Sequence, residues 1–253
     1  MFRQIFVVLA LVALSQATPV PDVFRTGRIV GGFGASAGQF PYQVSLRSAA
    51  NNHFCGGSII NNRWALSAAH CTIGRAQNAV RVVVGTVFLN SGGISHTSSR
   101  IVNHPSYNSQ TIANDVSVVQ TATTITFNAQ VSAIALGATQ IGAINAVVSG
   151  WGGTAVTGGP APNQLQGLNT RTLTNADCRA RHSVGNAAFV FDHKICTFTQ
   201  AGQGICQGDS GGPLVAGGAV IGTVSWNIPC ARGFPDAFDR VSHFRTWILN
   251  AIA

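Results

Sequence analysis

Three residues in this chain have the types and surroundings for nucleophilic chemistry. Ser210 lies in the run Gly208-Asp209-Ser210-Gly211-Gly212-Pro213, where small neighbours would let a substrate backbone come close. His70 lies in Ser67-Ala68-Ala69-His70-Cys71, and Asp115 in Asn114-Asp115-Val116. A serine hydroxyl needs a base to take its proton, and that base needs an acid to hold its tautomer. Ser210, His70 and Asp115 supply one complete set of parts, in the chain order His, Asp, Ser.

Other features bound what the rest of the chain can be. Arg3 precedes an apolar run from Ile5 to Leu14, and Ser15-Gln16-Ala17 follows with the small-x-small pattern of a signal-peptidase site. Cleavage is expected after Ala17, so residues 1–17 read as a signal peptide. The run is shorter than the roughly 20 residues that span a bilayer, and no membrane anchor is expected. Residues 18–28 contain Pro19 and Pro21 and end at Arg28, a tryptic cut site before Ile29. They read as an activation propeptide.

Six cysteines in an exported chain read as three disulfides, and six allow 15 pairings. No Cys-x-x-Cys or His-x-x-x-His spacing suggests zinc. The formal charge of +8 raises nucleic acid as a partner, but the arginines are scattered singly rather than gathered into a stripe, so none is expected. The charged residues are unusual in type: 14 Arg, one Lys (Lys194), seven Asp and no Glu. Arginine keeps its charge at high pH, so the bias fits either work in an alkaline lumen such as an animal gut or simple compositional drift. No Asn-x-Ser/Thr acceptor for glycosylation occurs.

The segments that would position these residues are short runs of Val, Ile and Thr broken by Gly, Asn or Pro. Examples are Val80 to Gly85, Ala146 to Ser149 and Val220 to Val224, an all-β pattern. Near the C-terminus Val241, Phe244, Ile248 and Ala251 recur at helical spacing and predict one amphipathic helix over about 241–253.

With the His-Asp-Ser order, the runs Ile29-Val30-Gly31-Gly32, Cys55-Gly56-Gly57-Ser58, Gly150-Trp151-Gly152 and Ser225-Trp226 make the chain resemble the chymotrypsin family of serine peptidases from Ile29 to its end. The resemblance implies a peptidase domain over 29–253, built as two six-stranded antiparallel β-barrels (about 29–124 and 125–240) with a C-terminal α-helix. The active site would lie in the cleft between the barrels. It implies the pairs Cys55–Cys71, Cys178–Cys196 and Cys206–Cys230. It assigns Ser210 as nucleophile, His70 as general base and acid, Asp115 as its orienter, and the N–H groups of Gly208 and Ser210 as the oxyanion hole. It also implies that the amino group freed at Ile29 pairs with Asp209. The six remaining histidines, His53 among them, read as surface or packing residues.

The resemblance places a substrate pocket at Gly204, Ile205, Ser225, Trp226, Asn227 and Asp236. Gly204 at the floor offers no charge, while Asp236 stands on the wall, a pattern similar to the arthropod brachyurins. Asp236 either accepts a basic guest, giving broad and collagenolytic cleavage, or is held by polar groups while the pocket takes Phe, Tyr or Leu. Cleavage after large apolar residues is the favoured expectation. The reading is therefore of a secreted digestive endopeptidase, with an inactive binding homologue as its rival. It would act as a monomer on protein and peptide substrates, activated by a trypsin-like protease and met by protein inhibitors. No cofactor is expected, and no metal: residues 73–113 contain no acid to hold calcium.

Overall fold

The computed structural model describes residues 29–138 and 142–253. The expected signal peptide, propeptide and Arg28 lie outside the described residues. The elements begin with β1 (Phe33–Gly34), followed by β2 (Gln43–Arg47), β3 (His53–Ile59), β4 (Trp64–Ser67), α1 (Ala69–Thr72), β5 (Arg81–Val84), β6 (Ile94–Asn103) and β7 (Ser117–Thr121). Then come β8 (Ala135–Leu136), β9 (Asn145–Gly150), β10 (Gln166–Leu173), α2 (Asn175–Arg181), α3 (Val184–Ala187), β11 (Lys194–Thr197), β12 (Pro213–Ala216), β13 (Ala219–Trp226), β14 (Asp236–Arg240) and α4 (Val241–Ala251).

Strands β2-β3-β4-β7-β6-β5 close into one antiparallel barrel, and β9-β10-β11-β14-β13-β12 close into a second through the β9–β10 pairing. Two six-stranded barrels and a C-terminal helix are what the resemblance implies. The short strands β1 and β8 pair with the ends of β10 and β13 that run beyond β11 and β14. A closed barrel leaves no strand edge open, and its inward side chains fill it. Val44, Leu46, Val82 and Val119 pack the first, and Val148, Leu168, Ile195, Leu214 and Phe238 the second.

Helix α4 buries Val241, Phe244 and Ile248, three of the four residues expected from helical spacing. They join Trp64, Leu66 and Val118 of the first barrel and Val215 and Val220 of the second in one apolar cluster. Packing of that kind fixes the barrels relative to one another and so fixes the cleft.

Candidate active site

His70 sits on the single turn α1, directly after β4. Asp115 lies in the loop before β7, behind Asn114, whose φ of 55° is in the left-handed region that asparagine tolerates better than most residues. This turn aims the carboxylate back at the histidine. Asp115 is 0% exposed and accepts the His70 backbone N–H at 2.8 Å on Oδ1 and the His70 ring at 2.7 Å on Oδ2. The Ser225 hydroxyl also donates to Oδ2, at 2.7 Å. Burial works to raise the Asp115 carboxyl, but the His70 hydrogen bond and charge, with the charge of Lys194, outweigh it and hold it below its ordinary value. An ionised acceptor at Nδ1 places the His70 proton there and leaves Nε2 with a lone pair free to take a proton.

The Ser210 segment is brought to His70 by backbone contacts. The Gly56 N–H donates to the Ser210 carbonyl at 2.7 Å, and Cys55 beside it is disulfide-bonded to Cys71. A Cβ at Gly211 would collide with Ser67 Oγ and the Gly56 carbonyl, so only glycine lets the two loops meet. No hydrogen bond links Ser210 Oγ to His70 here; such bonds often tighten only once substrate is bound. In the same turn the Asp209 N–H donates to the Cys206 carbonyl and the Gly211 N–H to that of Val224. The N–H groups of Gly208 and Ser210 donate to no group among the described residues. Gly208 has φ +101°, a backbone shape that L side chains rarely adopt. Two unspent donors beside a serine hydroxyl can stabilise an oxyanion.

Asp209 points away from this face and is 0% exposed. Its Oδ1 accepts the Gly152 N–H at 2.7 Å and its Oδ2 the Cys206 N–H at 2.9 Å. Burial pushes its carboxyl up to about 7 against those two bonds. Ile29 is also 0% exposed, in the second barrel's core, and Val30 bridges to Gly204, whose N–H donates to the Val30 carbonyl at 3.1 Å.

Of the expected pocket residues, Gly204, Ile205, Asn227 and Asp236 lie together, while Ser225 bonds to Asp115 and the Trp226 ring centroid lies 5.2 Å from that of His182. Asp236 Oδ2 accepts the Ile205 N–H at 2.9 Å and would lie 2.8 Å from a Cβ on Gly204. The Asn227 side chain donates to the Ile205 carbonyl at 2.8 Å. Both sides of the Ile205 residue are thus held by pocket side chains, and the Cys206–Cys230 disulfide closes the wall. Asp236 is 5% exposed, and burial drives its carboxyl well above the ordinary range. Ser225 does more than line a pocket, since its hydroxyl is bound to Asp115. The other disulfides are Cys55–Cys71 and Cys178–Cys196, so all three are the pairs the resemblance implies. Among the described residues the one cluster of metal-type donors is Cys55, His70 and Cys71, and its two sulfurs are tied to each other.

Reading all six other histidines as surface or packing residues needs correction. His53 contacts the Ser210 loop: its Nε2 lies 3.0 Å from the Gly208 carbonyl. A carbonyl only accepts, so Nε2 carries the proton and Nδ1 accepts from Ser45 Oγ at 2.9 Å; Ser45 in turn accepts from Arg47 Nε at 2.9 Å. Burial, opposed by the Gly208 bond and aided by Arg47, pushes His53 down to about 4, so the ring is neutral. Lys194 and Asp239 were also missed; they lie behind Ser225 and Asp115. The signal for Lys194 was present, a lone lysine inside the strand-like run Lys194-Ile195-Cys196-Thr197.

Residues 29–248 match the protein family described as Trypsin. The chain is 41% identical to "Chymotrypsin-2" of Vespa crabro, covering 87% of this chain and 98% of that protein. It is 42% identical to "Trypsin, alkaline B" of Manduca sexta, covering 96% and 98%. To "Trypsin alpha-4" of Lucilia cuprina it is 37% identical, covering 94% and 93%.

Proposed function

The chain belongs to the trypsin family of serine peptidases, and from that premise we propose a secreted digestive endopeptidase, made as a zymogen, that cleaves after large apolar residues. Ser210 attacks the scissile carbonyl while His70 takes its proton and then returns it to the leaving amine. Asp115 orients His70 and stabilises the imidazolium that forms. The N–H groups of Gly208 and Ser210 receive the oxyanion. Cleavage after Arg28 frees an ammonium at Ile29 that pairs with Asp209.

The observation that carries the specificity is the state of Asp236. A basic guest needs an ionised partner that faces it. Here one carboxylate oxygen is spent on the Ile205 N–H, and burial favours the neutral acid. With Gly204 uncharged at the floor, the pocket offers an apolar guest little to desolvate. A protein- and peptide-cleaving role follows from the family; the choice of Phe, Tyr or Leu rests on this geometry.

The test is to activate the purified zymogen with trypsin, quench the trypsin selectively, and compare matched peptides ending in Phe, Leu, Arg or Ala. A preference of about tenfold or more for Phe and Leu over Arg is expected. Comparable rates after Phe and Arg, with the Arg rate lost in Asp236→Gly, would replace this reading with broad brachyurin-like cleavage. Failure of a serine-directed reagent to label the activated chain would make it a non-catalytic homologue.

A further inference from the structure

The only lysine of the chain is one of its most deeply buried side chains, 0% exposed. Lys194 on β11 stands directly across from Asp239 on β14, a cross-strand pair on the face opposite Ile195 and Phe238, which fill the second barrel. Its Nζ lies 2.8 Å from Asp239 Oδ2, 2.9 Å from Ser225 Oγ and 2.7 Å from the Ile112 carbonyl. Three acceptors match the three N–H bonds of an ammonium, whereas a neutral amine has two. An arginine would bring five donors on a planar fork to a site with three acceptors. That mismatch accounts for a lysine at this one place in a chain that uses arginine elsewhere.

The direction of these bonds matters. An ammonium accepts nothing, so Ser225 Oγ must receive its N–H, and the Ser225 proton is left to point at Asp115 Oδ2, 2.7 Å away. We propose that Lys194 and Asp239 are positioning residues for the triad: the ammonium fixes the Ser225 hydroxyl as a donor to Asp115, and Asp239 balances the ammonium's charge so that Asp115 stays a good partner for His70. The inference rests on the triad reading above.

The other titratable groups facing the pair are few. His193, beside Lys194 on β11, has Nε2 3.9 Å from Asp239 Oδ1, but that nitrogen accepts the Asn114 N–H at 3.2 Å and so carries no proton to donate. Burial and the Lys194 charge hold His193 at about 4. His243 of α4 lies against it, ring centroids 5.5 Å apart, and His104 and Tyr107 of the loop before Asp115 complete the shell. Asp239 itself is pushed up to about 6 by burial and the charge of Asp115, with Lys194 opposing.

The experiment compares activated wild type with Lys194→Met, Asp239→Asn and the double variant Lys194→Met/Asp239→Ala, each normalised to serine titrated by a burst reagent. Lys194→Met removes the charge that holds Asp239 down, so the buried carboxyl takes up a proton and the acid limb of kcat/KM moves little; Asp239→Asn leaves an unbalanced positive charge near His70, and the limb moves down by about one pH unit. The double variant buries no unpaired charge and is expected to fold. Its kcat should fall about tenfold at unchanged KM, because Ser225 is free to rotate. Ser225→Ala should then cost little in the double background although it costs rate in wild type.

A double variant with wild-type kcat per titrated serine would overturn the proposal, as would an Asp239→Asn limb that stays in place or moves up. Should a single variant fail to fold, the double variant and its Ser225→Ala partner decide. A wild-type chain with no titratable serine would instead refute the triad reading.

Discussion

At the level of single residues, the candidate catalytic parts were legible because such chemistry demands particular types beside particular neighbours. Ser210 among glycines, His70 before Cys71 and Asp115 after Asn114 are local patterns. His53 and Lys194 were not legible, since what gives them meaning is 155 and 45 residues away, at Gly208 and Asp239. The His53 contact makes a prediction. His53→Ala removes the donor on the Gly208 carbonyl and should lower kcat about tenfold, less than the 10² to 10³ seen for loss of an oxyanion donor itself, because His53 acts through the loop. His53→Gln, which keeps an N–H, should recover part of it. The pH dependence gives an independent check. His53 falls from 6.5 to about 4 on folding, so the unfolded chain binds the extra proton and the native state loses stability as pH drops through that window. Acid unfolding of His53→Ala should show a shallower slope between about pH 6.5 and 4; an unchanged slope and unchanged kcat would remove the role.

Among the elements, the strand runs and the terminal helix could be read from period and punctuation, while the closure of the sheets and the cross-strand pairing of β11 with β14 could not. Register is a property of topology, and only register sets Lys194 opposite Asp239. The segment that begins the described chain shows the same dependence. Val30 holds the Gly204 backbone and Ile29 shares the second barrel's core with Ile205, so the start of the described chain is tied to the expected pocket floor. With no cation beside it among the described residues, Asp209 is raised from 3.8 to about 7, and the fold loses stability as pH rises through that interval. An ammonium at Ile29 would cancel the loss. The melting temperature of the activated form should therefore exceed that of the uncut form by a margin that opens between about pH 4 and 7 and stays open just above it. Scanning calorimetry of both forms across that range checks this, and a margin independent of pH would exclude Asp209 as the partner.

On the scale of the whole molecule, ionisable groups are divided sharply between surface and interior. Of the six acids among the described residues, Asp115, Asp209, Asp236 and Asp239 are buried, and the exposed positive charge is carried by arginine. Both tyrosines, Tyr42 and Tyr107, are pushed up by burial to about 12. The expectation of work at alkaline pH, argued from composition, can be tested on the folded protein. Electrophoretic mobility of the folded protein should stay nearly flat from about pH 8.5 to 11, and a steady decline would contradict it. A tyrosine raised on folding also stabilises only below its unfolded value, so alkaline unfolding should set in as pH climbs from 10 toward 12.

The same division has a practical side. Because the single ε-amine is buried and spends all three of its hydrogens, amine-directed reagents meeting the folded, uncut form find only a terminal α-amine, and in the activated form an Ile29 amine paired with Asp209 would be closed to them as well. Coupling to an amine-reactive surface or dye would then be one-to-one and of fixed orientation, and an endopeptidase that cuts only after lysine would have no accessible bond until the fold had opened.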